Sequence, residues 1–165
     1  MDREELIAKA EKQAGDYFNV GLNCAECTFK GFLDLGICGF PPEVVALASG
    51  FGGGIGNTGN TCGAVLGGCL AIASMKGRKD PLEGEDMHER VSKLNDPDTG
   101  VYQYFARFIA QWMDEHGSIK CSELTKPLAD EFGMASVERK RFCKKLIKNA
   151  AALSTKIALE QEETK

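Results

Sequence analysis

The sequence has no long apolar run and carries no excess of positive charge. A membrane-spanning helix needs roughly 18 consecutive apolar residues, and no segment of the 165 residues reaches that length. Residues 1–11 are charged and helical in pattern, without the apolar region of a signal peptide. We therefore expect a soluble cytoplasmic protein that does not associate with a membrane.

Nucleic-acid binding and acid–base catalysis also find little support in the composition. The formal net charge of −4 and the aromatic content of 8% provide neither a basic surface nor a stacking surface for nucleic acid. His88 lies among charged residues, and His116 lies at a predicted helix end. We interpret both as solvated surface residues, although a His116 that folded back could lower the pKa of Cys121. Any catalysis is expected to be that of a thiol-dependent or electron-transfer oxidoreductase component.

Apolar residues recur at three- and four-residue steps along most of the chain, which is typical of helices. The clearest pattern lies between Val101 and Trp112, with Gly117 as the expected end of that helix. Pro41, Pro42 and Glu43 suit the first turn of a third helix, and Thr61 is expected to cap a fourth. The pattern predicts an all-α fold, with residues 1–165 forming one bundle of about six to eight helices and a glycine-rich loop before the fourth.

Two of the predicted helices begin with cysteine. Asn23 is a good N-cap for a helix carrying Cys24 and Cys27, and Cys62 follows Thr61. Unpaired N–H groups and the helix dipole favour a thiolate at such a position. The spacing of Cys24 and Cys27 is that of dithiol redox centres, although Cys27 could equally be a buried core residue. Thr28 follows Cys27, so the covalent haem attachment motif is absent and we expect no haem.

Glycine is concentrated just before Cys62. Residues 50–59 contain six glycines, and their N–H groups could face an anion, the Cys62 sulfur or a cluster sulfide. The candidate cofactor-binding positions are Gly53, Gly54, Gly56 and Gly63. No Gly-Lys-Ser/Thr follows and no strand precedes, so we expect no nucleotide. The alternative is that these glycines only let the chain turn tightly between packed helices.

Several short segments of the chain occur in the order that is typical of one protein family. They are Asn23-Cys24-Ala25, Phe51 to Gly56, Thr61 to Gly67, Gly117 to Cys121, and Cys143. This order resembles the C_GCAxxG_C_C family of redox-active proteins over about residues 15–150, nearly the whole chain. A similar domain occurs in split-Soret cytochromes, beside haems and an iron–sulfur centre.

The resemblance implies an α-helical domain with a redox or metal function. It carries over only to Cys24, Cys62, Cys121 and Cys143. This sequence adds Cys27, Cys38 and Cys69 to those four.

If these four thiols lie close together, two mechanisms are possible, and we retain both. In one, Cys24, Cys62, Cys121 and Cys143 ligate an iron–sulfur cluster, with zinc ranked behind it. In the other, some of these thiols cycle between dithiol and disulfide, with Cys27 as a resolving thiol. The second needs no resident metal and is slightly favoured. A third interpretation is a structural zinc protein or a helical scaffold whose cysteines belong to the core.

The expected partners follow from the redox interpretation. They are a redox partner protein or a small-molecule electron acceptor. A run of basic residues could dock an acidic partner or could be a solvated helix face: Arg139, Lys140, Arg141, Lys144, Lys145 and Lys148. A homodimer could use the helix from Val101 to Trp112 or the small residues around Gly63.

Overall fold

The structure, a computed structural model, describes residues 1–160, which form eight helices and no β-strand within that range. Seven are α-helices and the third element is a 3₁₀ helix, Pro42–Phe51. The α-helices are α1 (Arg3–Asn19), α2 (Cys24–Leu33), α3 (Gly63–Lys76), α4 (Met87–Asn95), α5 (Val101–His116), α6 (Cys121–Phe132) and α7 (Val137–Ala158). The predicted all-α bundle is confirmed.

The longest helix, α7, contacts most of the other helices. It packs against α1, α2, α3, α5 and α6, and α2 also packs between α1 and α3. One core cluster joins α3, α5 and α7 through Val65, Phe108, Trp112 and Ile147. Trp112 and Phe108 are fully buried, as the apolar stripe between Val101 and Trp112 predicts.

Local sequence signals set several helix ends. Asp2 caps α1 and Asn23 caps α2, each in a capping box with a glutamate three residues later. Gly117 ends α5 in the left-handed conformation with a φ of 74°, which glycine adopts without the steric cost that a Cβ imposes. Helix α2 ends at Leu33, with Asp34 as its C-cap.

Glycine in α3 allows close packing on α2. A Cβ added to Gly67 would lie 2.6 Å from the carbonyl oxygen of Ala25, and one added to Gly63 would lie 3.0 Å from the Cβ of Cys24. The two helix backbones therefore approach at a distance that larger residues would prevent. This is the compensation expected for glycine in a helix interior, where it otherwise costs about 1 kcal/mol relative to alanine.

Two expected details differ in the structure. The third helix is 3₁₀ rather than α, although Pro41 and Pro42 do lie at its start. Cys62, rather than Thr61, is the N-cap of α3, because Thr61 forms a β-bridge with Lys120 instead. The chain therefore enters α3 from a short pairing with the segment that precedes α6.

The segment between α3 and α5 lies at the surface. It contains α4, of which no residue is buried. Within residues 1–160, no helix is both long enough and apolar enough to span a membrane.

Candidate functional site

The N-termini of α2, α3 and α6 meet beside the connection 52–62, and each brings a cysteine. Cys24 is the first residue of α2, Cys62 is the N-cap of α3, and Cys121 is the first residue of α6. The N–H of Cys62 donates to the carbonyl of Ile119 at 2.7 Å, and the N–H of Cys121 donates to the carbonyl of Asn60 at 2.7 Å. These two bonds fix the starts of α3 and α6 side by side.

The backbone of residues 53–57 forms a left-handed turn. All five residues have positive φ values, between 61° and 76°. The turn is closed by hydrogen bonds, among them those from the N–H of Gly59 to the carbonyl of Gly53 and from the N–H of Asn60 to the carbonyl of Gly54, both 3.1 Å. Ile55 is β-branched, and a left-handed conformation costs roughly 1–2 kcal/mol for a residue with a Cβ. Backbone strain is thus concentrated beside the thiols.

The four glycines predicted to bind a cofactor differ in their surroundings. The N–H of Gly53 faces the Cys24 sulfur, and a Cβ on Gly54 would lie 2.8 Å from the Cβ of Cys121. Gly63 faces Cys24, as described above, whereas a Cβ on Gly56 would meet open space. Three of the glycines therefore shape the wall around Cys24 and Cys121, and Gly56 serves the left-handed turn.

Electrostatic coupling shows which cysteines are neighbours. A charge on Cys24 raises the pKa of Cys62 and of Cys143, and a charge on Cys121 raises the pKa of Cys24, Cys62 and Cys143. We call these four residues the cysteine cluster. Within it Cys24 and Cys121 are the central pair, because each is coupled to all the others, and Cys62 and Cys143 flank them. The four positions that the family resemblance selects are thus brought together.

Burial dominates the acidity of these thiols. It raises the pKa of Cys62 from 9.0 to about 12 and that of Cys143 to about 11, and it raises the pKa of Cys24 as well. The N–H groups of Gly53 at Cys24, and of Ala64 and Val65 at Cys62, lower the pKa by a smaller amount. The N–H contacts expected at a helix start are therefore present and lower the thiol pKa values. Desolvation raises these pKa values by a larger amount. All seven cysteines are free thiols in the structure.

The three additional cysteines have different surroundings. Cys27 is fully buried in the core, its thiol donates to the carbonyl of Leu22 at 3.4 Å, and burial raises its pKa to about 12. Burial also raises the pKa of Cys69 to about 11. Cys38 is half-buried against the second core cluster, which contains Phe29 and Phe32. The charge on Cys24 also raises the pKa of Cys27, but none of the surface of Cys27 is exposed.

A cavity of about 340 Å³ lies beside the cluster. Its walls include Gly53, Cys121, Ser122, Met134 and Arg139, and Cys121 is the cluster cysteine among its lining residues. The Arg139 guanidinium lowers the pKa of both Cys24 and Cys143 against the effect of burial. The sequence treats Arg139 only as part of a basic run. The signal that could have singled it out is its position four residues before Cys143, one turn away on the same helix face.

The two histidines take different positions. His88 is exposed, as expected. The expectation of a solvated His116 is wrong: its side chain is only 8% exposed and packs on the indole of Trp112, with ring centroids 4.2 Å apart. Burial lowers the pKa of His116, because it disfavours the charged imidazolium. His116 is thus a partly buried residue whose side chain packs at the end of α5.

The cluster offers sulfur ligands without forming a ligand set. Four thiols with N–H donors nearby are the donor type that iron–sulfur clusters and structural zinc require. Among residues 1–160, however, no three His, Cys, Asp or Glu side chains are arranged to hold one metal ion.

Comparison with known proteins relates the chain to one family. The family model described as "Putative redox-active protein (C_GCAxxG_C_C)" matches residues 22–157. An uncharacterized protein of Archaeoglobus fulgidus is 25% identical over 160 residues, which cover 96% of this chain and 99% of that protein. No solved structure matches the chain.

Proposed function

The chain belongs to the C_GCAxxG_C_C family, described as redox-active, and on that premise we propose that it reduces disulfides through a dithiol formed by Cys121 and Cys24. The single observation that carries this proposal is the coupling of these two thiols at the centre of the cluster, with Cys121 lining an open cavity.

Access assigns the attacking role to Cys121. Cys121 is the cluster cysteine that lines the cavity, so a molecule held there lies against it, although the residue is only 8% exposed. It is also the first residue of α6, at the positive end of the helix dipole. A thiolate is the form that attacks a disulfide.

Proximity assigns the resolving role to Cys24. Its sulfur is coupled to that of Cys121 and faces the N–H of Gly53. Burial keeps it protonated until the mixed disulfide forms, because its pKa is raised. Formation of that disulfide removes the charge on Cys121, which otherwise opposes ionisation of Cys24. The second thiolate therefore forms more easily after the first attack than before it.

The reaction balances as a two-electron exchange. The Cys121 thiolate attacks one sulfur of the substrate; a Cys121–substrate bond forms, the substrate S–S bond breaks, and the other substrate sulfur leaves as a thiolate that takes up a proton. The Cys24 thiolate then attacks the Cys121 sulfur and releases the second substrate thiol. Two protons and two electrons pass from the protein to the disulfide. A dithiol reductant restores both thiols by the same exchange.

The flanking thiols limit the charge in the cluster. The pKa values of about 12 for Cys62 and about 11 for Cys143 keep both neutral near pH 7. A neutral neighbour does not repel the single thiolate that the reaction requires. We therefore assign Cys62 and Cys143 a supporting role, as neutral neighbours that do not form the disulfide themselves.

A second candidate is ligation of an iron–sulfur cluster, or of zinc, by Cys24, Cys62, Cys121 and Cys143. The sulfur donor set and the N–H groups facing Cys24 and Cys62 favour it. Such a cluster would supply single-electron transfer, whereas zinc would supply structure alone. The side chains do not form a metal-ligand set as they stand, so the mechanism above contains no step through a metal.

One preparation tests both candidates. The protein is purified without oxygen, and iron, sulfide, zinc and the visible spectrum are measured. Metal-free, colourless protein supports the dithiol mechanism, whereas stoichiometric iron and sulfide with a visible charge-transfer band would support the second candidate.

The metal-free protein is then treated with bis(hydroxyethyl) disulfide, and the products are mapped by mass spectrometry. We expect a Cys24–Cys121 disulfide in the wild type and a trapped mixed disulfide on Cys121 in Cys24→Ser. Cys121→Ser should form neither product, and Cys38→Ser is the matched control that should react like the wild type. A mixed disulfide that forms first on another cysteine would contradict the assignment.

A further inference from the structure

We propose that the cavity beside Cys121 binds a small anionic disulfide and that Arg139 receives its anionic group. The inference rests on the redox function proposed above and names the class of substrate for that site. Cavity size, an unpartnered buried donor and the local balance of charge each support it.

The size of the cavity fits a small molecule. Its volume of about 340 Å³ is near the lower end of ligand-binding pockets, which span roughly 300–1,000 Å³. A low-molecular-weight disulfide fits within that volume, whereas a protein disulfide would have to bring a narrow loop into it. The polar and apolar groups of Ser122 and Met134 line the same space.

Arg139 has an unused donor at this position. Its Nη1 donates to the carbonyl of Met134 at 3.0 Å, but its Nε is buried and has no hydrogen-bond partner among residues 1–160. A buried donor that lacks a partner costs about 1–3 kcal/mol, and more when it belongs to a charged group. Arg139 itself lines the cavity, so a carboxylate bound there would accept from its guanidinium after a side-chain rotation that exposes the donor, in a charge-assisted bond of the kind that is among the strongest in proteins. The structure thus contains a donor whose natural acceptor is an anion.

Among the described residues that line the cavity, Arg139 is the cation without an ion-pair partner. Lys126 and Asp130 also line it, but they form an ion pair with each other at 2.6 Å, so their charges largely cancel. The protein as a whole carries a formal net charge of −4, which repels anions at long range. A preference for anionic substrates would therefore have to originate locally, at Arg139.

The position of Arg139 also suits the reaction. It lies one helical turn before Cys143, and its charge acts on the thiols of Cys143 and Cys24. A molecule whose anionic group binds Arg139 inside the cavity holds its sulfurs beside Cys121, which lines the same cavity. We assign Arg139 as a substrate-binding residue that orients the disulfide toward the attacking thiol.

The test compares three disulfides of similar size that differ in charge: dithiodipropionate (anionic), bis(hydroxyethyl) disulfide (neutral) and cystamine (cationic). Their rates of reaction with the reduced, metal-free protein are measured at several concentrations. The ratio of the anionic to the neutral rate is the readout, because Arg139 also changes thiol acidity, which affects all three reagents alike. We expect a ratio of about tenfold in favour of the anion, the effect of one charge-assisted hydrogen bond.

Variants test whether Arg139 causes the higher rate with the anionic disulfide. Arg139→Gln should bring it to about one or below, and Arg139→Lys should keep part of it, since charge remains but the Nε donor is lost. Arg141→Gln is the matched control: it removes one exposed positive charge two residues away and should keep the wild-type ratio. Circular dichroism and thermal melting check that each variant is folded.

The outcomes separate this inference from the function on which it rests. If no disulfide reacts at Cys121, the proposed redox function fails. If all three react but the wild type shows no anion preference, or if Arg139→Gln keeps the preference, the redox function stands and the assignment of Arg139 is overturned. If Arg141→Gln loses the ratio as fully as Arg139→Gln, the preference reflects overall charge and the assignment is likewise overturned.

Discussion

Two long irregular connections in this chain are built in opposite ways. Residues 52–62 include five consecutive left-handed residues, yet the connection is bonded to α6 through the N–H groups of Cys121 and Ser122. Residues 77–100 include α4, which buries no residue, and the guanidinium of Arg90 bonds to two nearby carbonyls, those of Leu82 and Gly84. The strained connection is fixed by its surroundings, and the relaxed one is held by local contacts.

This difference shows which of the two connections is fixed by the neighbouring helices. A left-handed backbone persists only where neighbouring structure determines it. Here that structure is the paired starts of α3 and α6, the same elements that carry Cys62 and Cys121. We infer that packing in the bundle keeps the cysteine thiols in fixed relative positions, whereas residues 77–100 contribute little to those positions.

The largest expected effect comes from adding one methyl group in the left-handed turn. In Gly54→Ala, the new Cβ would lie 2.6 Å from the Asn60 carbonyl oxygen and 2.8 Å from the Cβ of Cys121, at a φ of +76°. We expect a loss of about 3 kcal/mol in the free energy of unfolding, from left-handed strain plus steric overlap. Urea denaturation measures this loss.

Gly56→Ala is the matched control in the same turn. Its φ is +62°, but its Cβ would meet open space, so we expect a loss of about 1 kcal/mol from backbone strain alone. Equal losses in the two variants would show that packing around Cys121 does not determine the conformation of the turn.

Alkaline pH should weaken the cysteine-bearing core, and no cysteine lies in residues 77–100. Burial raises the pKa of Cys27 and Cys62 from 9.0 to about 12 in the folded protein. The folded state therefore holds these protons more tightly than the unfolded chain. Stability from this source is complete below about pH 9 and is lost as the pH rises toward 12, by about 1.4 kcal/mol per pH unit for each thiol.

Cys27→Val isolates one of these thiols, because it removes the titrating group and nearly keeps the volume. Urea midpoints measured with a reductant between about pH 9 and pH 11 should fall less steeply in this variant than in the wild type. Identical slopes would show that the thiol of Cys27 titrates at the same pH in both states.

The smallest effects compare the helix caps near the two connections. Asn23 accepts hydrogen bonds from the N–H groups of Ala25 and Glu26 and donates to the carbonyl of Ser49 at 3.0 Å. We expect Asn23→Ala to lower the global free energy of unfolding by about 1–2 kcal/mol. Asp86→Ala removes the cap of α4 and should cost less than about 0.5 kcal/mol globally, since α4 can open without the core.

Hydrogen exchange distinguishes the two cap variants. Asp86→Ala should speed exchange within residues 87–95 and leave α2 and α7 unchanged. A global loss in Asp86→Ala as large as that in Asn23→Ala would contradict the contrast between the two connections.

The sequence predicts the helices well where side-chain pattern determines them. The stripe ending at Trp112 and the glycine at position 117 define α5, and Asn23 marks the start of α2. The 3₁₀ form of Pro42–Phe51 is not predictable in this way, because Pro41 and Pro42 suit the first turn of either helix type. The N-cap of α3 shifts from Thr61 to Cys62 because of a long-range pairing of Thr61 with Lys120 that no local pattern encodes.

The sequence predicts which cysteines form the site, but it does not predict how their pKa values shift. The resemblance selects Cys24, Cys62, Cys121 and Cys143, but their meeting depends on the close approach of α2 and α3 at Gly67. The direction of their pKa shifts depends on burial, which cannot be read from a helix start. The glycine run indicates unusual backbone, yet nothing in the sequence indicates that Ile55 adopts the same left-handed conformation.

The one tryptophan of the chain stands at an informative place. The indole N–H of Trp112 donates to the carbonyl of Ser118 at 2.9 Å, which holds the short segment leading to Cys121 against the end of α5. Any displacement of that segment must lengthen or break this bond and change the polarity around the ring. We therefore expect intrinsic fluorescence to report displacement of the segment before Cys121 without an added dye.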